Sequence, residues 1–182
     1  MQILKISEFG EPILREVAKP LTTNQIKSAR IKTIVNDMHQ TLTIKKMGVG
    51  LAAPQVGKDL SLAIISIHPT KHRPKVKEIE LNIFNPKITK HIGNRSQLWE
   101  GCISAGKSGL FAKVPRYKKI RLSYFDEQGK KHYKDFNGLI AQVIRHEVDH
   151  LNGILFIDKV KDTKTFMTIK EYKKMVATKQ KK

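Results

Sequence analysis

The sequence predicts an α+β fold in which antiparallel strands wrap around one central helix. Residues 120–136 alternate apolar and polar side chains on both sides of a polar turn, a pattern typical of a β-hairpin. The segment that follows has helical spacing, with Leu139, Val143, His146 and His150 at i, i+4, i+7 and i+11. Strands followed by a single helix with an apolar face favour an α+β architecture.

The other elements follow the same reasoning. Thr22 and Gln25 have the spacing of a capping box and predict the start of a helix that continues to about residue 45. Residues 61–67 form an apolar run typical of a buried strand, and 81–88 predict a strand that breaks at an Asn-Pro pair. Shorter predictions are strands at 3–6 and 154–157, exposed or glycine-containing loops at 68–77 and 97–109, and a basic helical tail at about 163–182.

Bulk properties predict one domain that spans residues 1–182, with no linker and no internal repeat. No apolar run is long enough to cross a bilayer, and the first residues do not have the pattern of a signal peptide. Cys102 is the one cysteine, which excludes an internal disulfide and favours a reducing compartment. We therefore expect a cytoplasmic protein of bacterial type with no membrane partner, although an organelle is not excluded.

The chain is strongly basic. It has 35 lysines and arginines against 16 acidic residues, a formal net charge of +19. This excess suggests attraction to RNA or to an RNA-containing particle, and the alternative is a lysine-rich solvated surface. Because neither an arginine cluster nor a series of aromatic residues accompanies the charge, we expect no sequence-specific nucleic-acid binding.

The predicted central helix carries a His-Glu-x-x-His motif at residues 146–150. Two histidines one turn apart on one helix face can bind the same metal ion, and Glu147 lies next to them as a candidate general base. Asn137 is a candidate N-cap of this helix, and Gly153 stands where a helix often terminates. The sequence therefore predicts a metal-binding central helix and metal-assisted hydrolysis.

A third protein ligand must come from elsewhere in the chain. The position at which some zinc peptidases have a third histidine is Phe156, and Glu171 lies in the predicted surface tail. Cys102 is the better candidate, since a thiolate is a strong ligand for Zn²⁺ or Fe²⁺. A metallopeptidase that uses Glu171, and an RNA-associated module whose metal is structural, remain as alternatives.

Three segments together resemble the peptide deformylase family. They are Gly48-Val49-Gly50-Leu51-Ala52-Ala53-Pro54-Gln55, Glu100-Gly101-Cys102-Ile103-Ser104 and His146-Glu147-Val148-Asp149-His150. The resemblance implies an enzyme that removes the formyl group from N-formylmethionine on nascent polypeptides. It also implies one divalent ion held by Cys102, His146 and His150, Fe²⁺ in the cell, with Zn²⁺, Ni²⁺ or Co²⁺ as alternatives.

The resemblance also implies roles for individual residues. Glu147 would act as general base and acid on an ion-activated water, and the Gln55 amide and Ile103 N–H would stabilise the oxyanion. Gly50 would bond the substrate backbone. The methionine side chain needs an apolar pocket, for which we expect Val49, Leu98, Leu139 and Val143, although core packing explains each of them as well.

Two further expectations concern charged residues. Glu100 and Arg116 are candidates for a buried ion pair that braces the Cys102 segment, with two solvated charges as the alternative. The basic tail suits a family whose C-terminal helix docks on the ribosome. A solvated end is the other explanation of its lysines, Lys170, Lys173, Lys174, Lys179, Lys181 and Lys182.

Overall fold

The structure is a computed structural model that describes residues 2–45, 48–70 and 76–179. Its helices and strands are α1 (Thr23–Lys27), α2 (Ala29–Lys45), β1 (Gly50–Ala52), β2 (Leu62–Ile67), β3 (Ile79–Cys102), β4 (Leu110–Phe125), β5 (Lys131–Asn137), α3 (Gly138–Leu151), β6 (Met167–Thr168) and α4 (Ile169–Lys179). The described part of the chain contains no helix with the length and apolar character needed to cross a membrane.

All of the strands pair antiparallel in one sheet of order β1-β2-β3-β4-β5, and β6 pairs with β4. The predicted hairpin is confirmed, since β4 and β5 pair with Ile120 opposite Phe136. The helix α3 packs on this sheet, and its Ala141, Ile144 and Leu151 belong to the main apolar core. The predicted α+β fold around a central helix is therefore confirmed.

The predicted helix at 25–45 is two helices. The capping box is present at the start of α1, where Gln25 N–H donates to Thr22 Oγ1 at 3.3 Å and Thr22 N–H donates to Gln25 Oε1 at 2.7 Å. Ser28 then adopts an extended conformation and interrupts the helix. Its hydroxyl accepts a hydrogen bond from Ile31 N–H at 3.3 Å, so that α2 begins with its own cap.

Two short predicted strands are wrong. Residues 3–6 form no strand, because the N–H of Leu4 donates to the Thr41 side chain at 2.8 Å instead of to a neighbouring strand. Residues 154–157 lead into a 3₁₀ helix, Phe156–Lys159, in which Asp158 accepts the Leu155 N–H at 2.8 Å. In both places a side chain accepts the backbone N–H that a neighbouring strand would otherwise bind, so apolar composition alone does not predict a strand here.

The predicted break at Asn85–Pro86 is a bulge within a longer strand. Asn85 has a φ of 47°, and the pairing of β3 with β4 shifts register between Phe84 and Lys87. The Asn85 side chain donates to Leu21 O at 2.7 Å and accepts from Leu21 N–H at 2.8 Å. The exposed loop predicted at 68–77 lies partly outside the described residues.

The C-terminal segment is helical only in part. A 3₁₀ turn at Thr163–Thr165 and the strand β6 precede α4, and residues 180–182 lie outside the described part. Tyr172 of α4 stacks on Phe111 with ring centroids 4.1 Å apart and contacts Trp99 at 5.8 Å. These ring contacts hold α4 against β3 and β4.

Candidate metal centre and active site

The helix α3 places the two histidines on one face. Its start and end use glycines with positive φ, 58° at Gly138 and 69° at Gly153. Asn137 stands at the N-cap position, but its side chain makes no capping hydrogen bond. A Cβ on Gly153 would lie 2.4 Å from Arg15 O, so close backbone approach requires glycine here. The His146 and His150 ring centroids are 4.9 Å apart.

Cys102 is the last residue of β3. The sequence prediction of a loop at 97–109 is therefore wrong for residues 97–102. The strand runs through Gly101, where a Cβ would lie 2.5 Å from the Phe111 ring, so only glycine permits this packing. The buried Cys102 Sγ lies 3.2 Å from His150 Nε2. Long-range pairing of β3 with β4 therefore carries the thiol to the helix.

Cys102, His146 and His150 form a group that fits a metal ion. Their ligand atoms all lie within 4.8 Å of one another. In a tetrahedral site with metal–ligand bonds of about 2.0–2.3 Å, such atoms are about 3.3–3.6 Å apart, a separation that small side-chain rotations reach. Glu171, by contrast, is exposed on α4 and accepts a hydrogen bond from Lys174 Nζ at 2.8 Å. One thiol and two imidazoles are a ligand set suited to Zn²⁺ or Fe²⁺.

A buried ion-pair network supports the ligands. The predicted Glu100–Arg116 pair is present, with both hydrogen bonds at 2.8 Å, and Arg116 also donates to Asp149 of α3. Glu100 Oε2 lies 3.3 Å from His146 Nδ1, so Nε2 is the ring nitrogen of His146 that would bind an ion. Burial opposes the charge on Glu100, but His146 and Arg116 outweigh it and lower its pKa to about 2.

The two histidines have opposite pKa shifts. Burial lowers the pKa of His150 well below its usual value, so its ring is neutral. Burial also opposes protonation of His146, but the contacts with Cys102 and Glu100 prevail and raise its pKa well above the usual value. Because a histidine binds a metal only when neutral, ion binding would release the His146 proton.

Glu147 lies beside the histidines in a nearly dry environment. It is 3 % exposed, and its Oε2 has no hydrogen-bond partner among the described residues. Burial raises the pKa of Glu147 to about 7, which suits a group that must both accept and return a proton near neutral pH. A Cβ on Gly50 would lie 2.5 Å from Glu147 Oε1, so the carboxylate packs directly on the β1 backbone.

Gln55 and Ile103 flank the sulfur. The Gln55 carbonyl accepts the Ala52 N–H at 2.8 Å, which turns its amide nitrogen toward Cys102 Sγ, 3.4 Å away, and Ser104 Oγ, 3.2 Å away. Ile103 opens a 3₁₀ helix directly after Cys102. The N–H of a first helical residue has no partner within its helix, so it is free to bind another acceptor.

The four apolar candidates separate into two groups. Val143 is buried in the main core, and the half-buried Val49 and Leu139 pack against the same cluster. Leu98 is half-buried on β3 opposite Val114. Side chains alternate along a strand, so Leu98 shares a sheet face with Cys102.

Sequence reasoning missed several neighbours of the site. Asp149, within the helix motif, binds Arg116, and Ser104 binds Gln55. Arg145, next to His146, is 2 % exposed, an unusual burial for an arginine. Burial and the nearby Arg116 lower its pKa to about 10, which leaves it cationic at neutral pH. The sequence offered no local signal for the contacts of these three residues, since each depends on how α3 and the strands pack together.

A metal-binding helix that bears His-Glu-x-x-His, completed by a cysteine from the sheet, defines a class of metal-dependent hydrolases. The comparisons with known proteins specify this class further. Residues 3–166 match the family described as Polypeptide deformylase. "Peptide deformylase 2" of Nostoc sp. is 34 % identical over 176 residues, which are 96 % of each chain.

Solved structures agree. A class I type b peptide deformylase from Acinetobacter baumannii, bound to Met-Ala-Ser, superposes with a TM-score of 0.80 and 31 % identity over 87 % of this chain and 98 % of that chain. A Synechococcus elongatus peptide deformylase in complex with actinonin superposes with a TM-score of 0.79 and 33 % identity. The match covers 91 % of this chain and 82 % of that chain. The chain therefore belongs to the peptide deformylase family of metalloenzymes, whose members remove the formyl group from N-terminal formylmethionine.

Proposed function

We propose that this enzyme deformylates nascent polypeptides with Cys102, His146 and His150 as metal ligands and Glu147 as the proton-transfer group. The observation that carries the proposal is the convergence of the three ligand atoms within 4.8 Å of one another beside the buried carboxylate. A divalent ion held there supplies Lewis acidity to water and to the formyl oxygen. Glu147 accepts the proton of the attacking water and later returns it to the departing amine.

The oxyanion that forms from the formyl oxygen needs hydrogen-bond donors. We assign this role to the Gln55 amide, which Ala52 and Ser104 orient, and to the Ile103 N–H at the start of its 3₁₀ helix. Such donors are worth about 10²–10³ in kcat when one is removed.

The substrate backbone would add to the sheet at β1. This strand stands at one end of the sheet order and pairs with a strand, β2, on one side, so we place an extended peptide that bonds Gly50 along its other edge. We assign Val49, Leu139 and Val143, which belong to or pack against one apolar cluster, as walls for the methionine side chain, and Leu98 as the candidate on the Cys102 side. The Met-Ala-Ser peptide bound to the Acinetobacter relative supports a linear ligand of this kind.

Anaerobic hydrolysis of formyl-Met-Ala, with metal analysis of the same sample, tests the assignment. We expect Glu147→Ala to lose at least about 10²-fold in kcat while metal stays bound. Cys102→Ser should lose metal, whereas the matched control Glu171→Ala should keep both metal and activity. The ligand assignment is wrong if only Glu171→Ala releases the ion.

We propose Fe²⁺ as the ion in the cell because the family resemblance implies it; the ligand set itself also accepts Zn²⁺, Ni²⁺ and Co²⁺. Protein purified without oxygen should then contain iron in a 1:1 ratio, and exposure to air should reduce activity. Full activity in a sample that contains zinc and no iron, purified without oxygen, would contradict the iron assignment.

Ribosome association through the basic tail is the second part of the proposal. Lys170 and Lys173 are exposed on α4, whose other face the Tyr172 ring holds against Phe111. Replacing both lysines with glutamate should reduce co-sedimentation with ribosomes and its salt dependence. In the matched control, Lys87 and Lys90, which are exposed on β3, are replaced with glutamate, and ribosome binding should be unchanged. Equal loss in the two variants would indicate net charge and not the tail.

A further inference from the structure

A second polar site lies behind the ion-pair network, in a cavity of ≈ 250 Å³ between β3, β4, α3 and the 3₁₀ helix Phe156–Lys159. We call it the cationic cavity, because basic side chains dominate its lining: Arg95, Arg116, Arg145, Lys159 and Lys161. None of the proposed metal ligands lines it.

The strongest indication of a ligand is Arg145. Its guanidinium is buried and donates one hydrogen bond, from Nε to Ala141 O at 3.2 Å. Neither Nη1 nor Nη2 has a hydrogen-bond partner among the described residues. Burying two cationic nitrogens without hydrogen-bond partners is costly, and an anion that accepts from both would remove that cost.

The charges around the cavity do not balance. Asp158 is its acidic lining residue, and Arg15 pairs with it. Asp149 and Glu100 are both bound by Arg116, and Asp149 also lies 3.3 Å from Lys159 Nζ. The lining residues and their partners thus hold three carboxylates against six cations, namely Arg15, Arg95, Arg116, Arg145, Lys159 and Lys161. The excess of three positive charges matches a multiply charged anion.

The rim is ordered by ring contacts. Tyr117 stacks on His91 with centroids 4.8 Å apart, and the Arg95 guanidinium lies 5.0 Å from the Tyr117 ring centroid. Burial, followed by the charges of Arg145, Arg95 and Lys159, lowers the pKa of His91. A neutral His91 leaves recognition to the arginines, and the cation–π contact holds Arg95 in place at the entrance.

We propose that the cationic cavity binds a phosphate dianion. An arginine fork matches two phosphate oxygens, and the tetrahedral group offers further oxygens to Arg95 and Lys159. A phosphate monoester or free phosphate carries about −1.5 to −2 charges at neutral pH, whereas a phosphodiester carries one. The excess of positive charge therefore favours inorganic phosphate or the terminal phosphate of a small metabolite over an RNA backbone. This inference does not depend on the deformylase mechanism.

Isothermal titration calorimetry of the metal-loaded enzyme tests the proposal, with NaCl keeping the ionic strength constant. The probes are inorganic phosphate, AMP and dimethyl phosphate. We expect saturable binding of inorganic phosphate or AMP, weakened by about tenfold or more in Arg145→Gln and to a smaller extent in Arg95→Gln. Arg30→Gln, which removes an exposed arginine on α2, is the matched control and should bind as the wild type does.

Each outcome has a defined meaning. Tighter binding of AMP indicates a nucleotide source, tighter binding of inorganic phosphate indicates the free ion, and either supports a dianion site. Binding of dimethyl phosphate as tight as that of inorganic phosphate would overturn the dianion assignment. Arg95 is exposed, so Arg95→Gln should fold normally. A phosphate affinity that is unchanged in both Arg95→Gln and Arg145→Gln would place binding outside the cationic cavity and overturn the proposal. Absence of saturable binding would also overturn it.

Discussion

The close contact between Gly50 and Glu147 makes Gly50→Ala a demanding test of the active-site geometry. The added Cβ would lie 2.5 Å from Glu147 Oε1 and 2.8 Å from Val143 Cγ1, whereas ordinary contacts begin at 3.4 Å. The carboxylate must therefore move by about 0.9 Å, the difference between 3.4 and 2.5 Å, or the β1 backbone must retreat by a similar distance.

A displacement of that size should affect the reaction more than the fold. Misplacing a reacting group by about 1 Å costs about 10²-fold in rate, or about 2.7 kcal/mol of barrier, and overpacking costs about 1–3 kcal/mol of stability. We expect kcat for formyl-Met-Ala to fall about 10²-fold with metal content unchanged, because the atoms nearest the added Cβ belong to Glu147 and Val143 and not to a proposed ligand. The alanine keeps its N–H and C=O, so KM should change less than kcat.

The matched control is Gly48→Ala, in the same segment. Its Cβ would lie 2.9 Å from Leu42 Cδ1, the end of a flexible side chain that can rotate away. This variant should keep activity within about threefold, since it displaces no reacting group. Wild-type kcat in Gly50→Ala, or a parallel loss of metal, would refute the proposed packing of Glu147 on β1.

Three further predictions concern the supporting structure. Glu100→Gln removes the negative charge that binds His146 and Arg116. Metal affinity, measured by chelator competition, should therefore fall about 10–100-fold, and an unchanged affinity would show that Glu100 does not support the metal ligands. Slight burial opposes the charge on Asp158, but hydrogen bonding from Arg15 prevails and lowers its pKa. The Arg15–Asp158 coupling in a double-mutant cycle should therefore be present above the usual Asp pKa and be lost as the pH falls through the lowered pKa of Asp158. Both side chains are substantially exposed, so this coupling should stay below about 1 kcal/mol, and a coupling that does not weaken on acidification would contradict the prediction. Tyr172→Ala breaks the stack on Phe111 and should accelerate proteolysis within α4, with Tyr133→Ala, an exposed tyrosine on β5, as the unaffected control.

Local spacing explains why part of the site was predictable from sequence. His146, Glu147 and His150 lie within one helix turn of one another, so their relation follows from helical geometry alone. Cys102 was identified through ligand chemistry and family resemblance, because no local rule relates it to a helix that begins 36 residues later. The capping box at Thr22 and the hairpin were likewise local features.

Long-range contacts explain what was missed. Gly101 suggested a loop, but packing against Phe111 keeps it in β3, and only that extended conformation brings Glu100 to His146. The N–H of Leu4 is bonded by a side chain 37 residues away, which no strand propensity can anticipate. The burial of Arg145 depends on how α3 packs on the sheet, so it could not be predicted from the position of Arg145 next to the motif.

The contacts of Arg116 should preserve the structure of the site when no ion is bound. It ties the strand that ends at Cys102 to the helix that bears both histidines, through Glu100 on one side and Asp149 on the other. Breaking a buried pair of this kind costs about 3–5 kcal/mol, so the clamp is a substantial constraint in its own right. The scaffold therefore keeps the three proposed ligands near their positions between occupants, so that one ion would replace another without the chain having to refold.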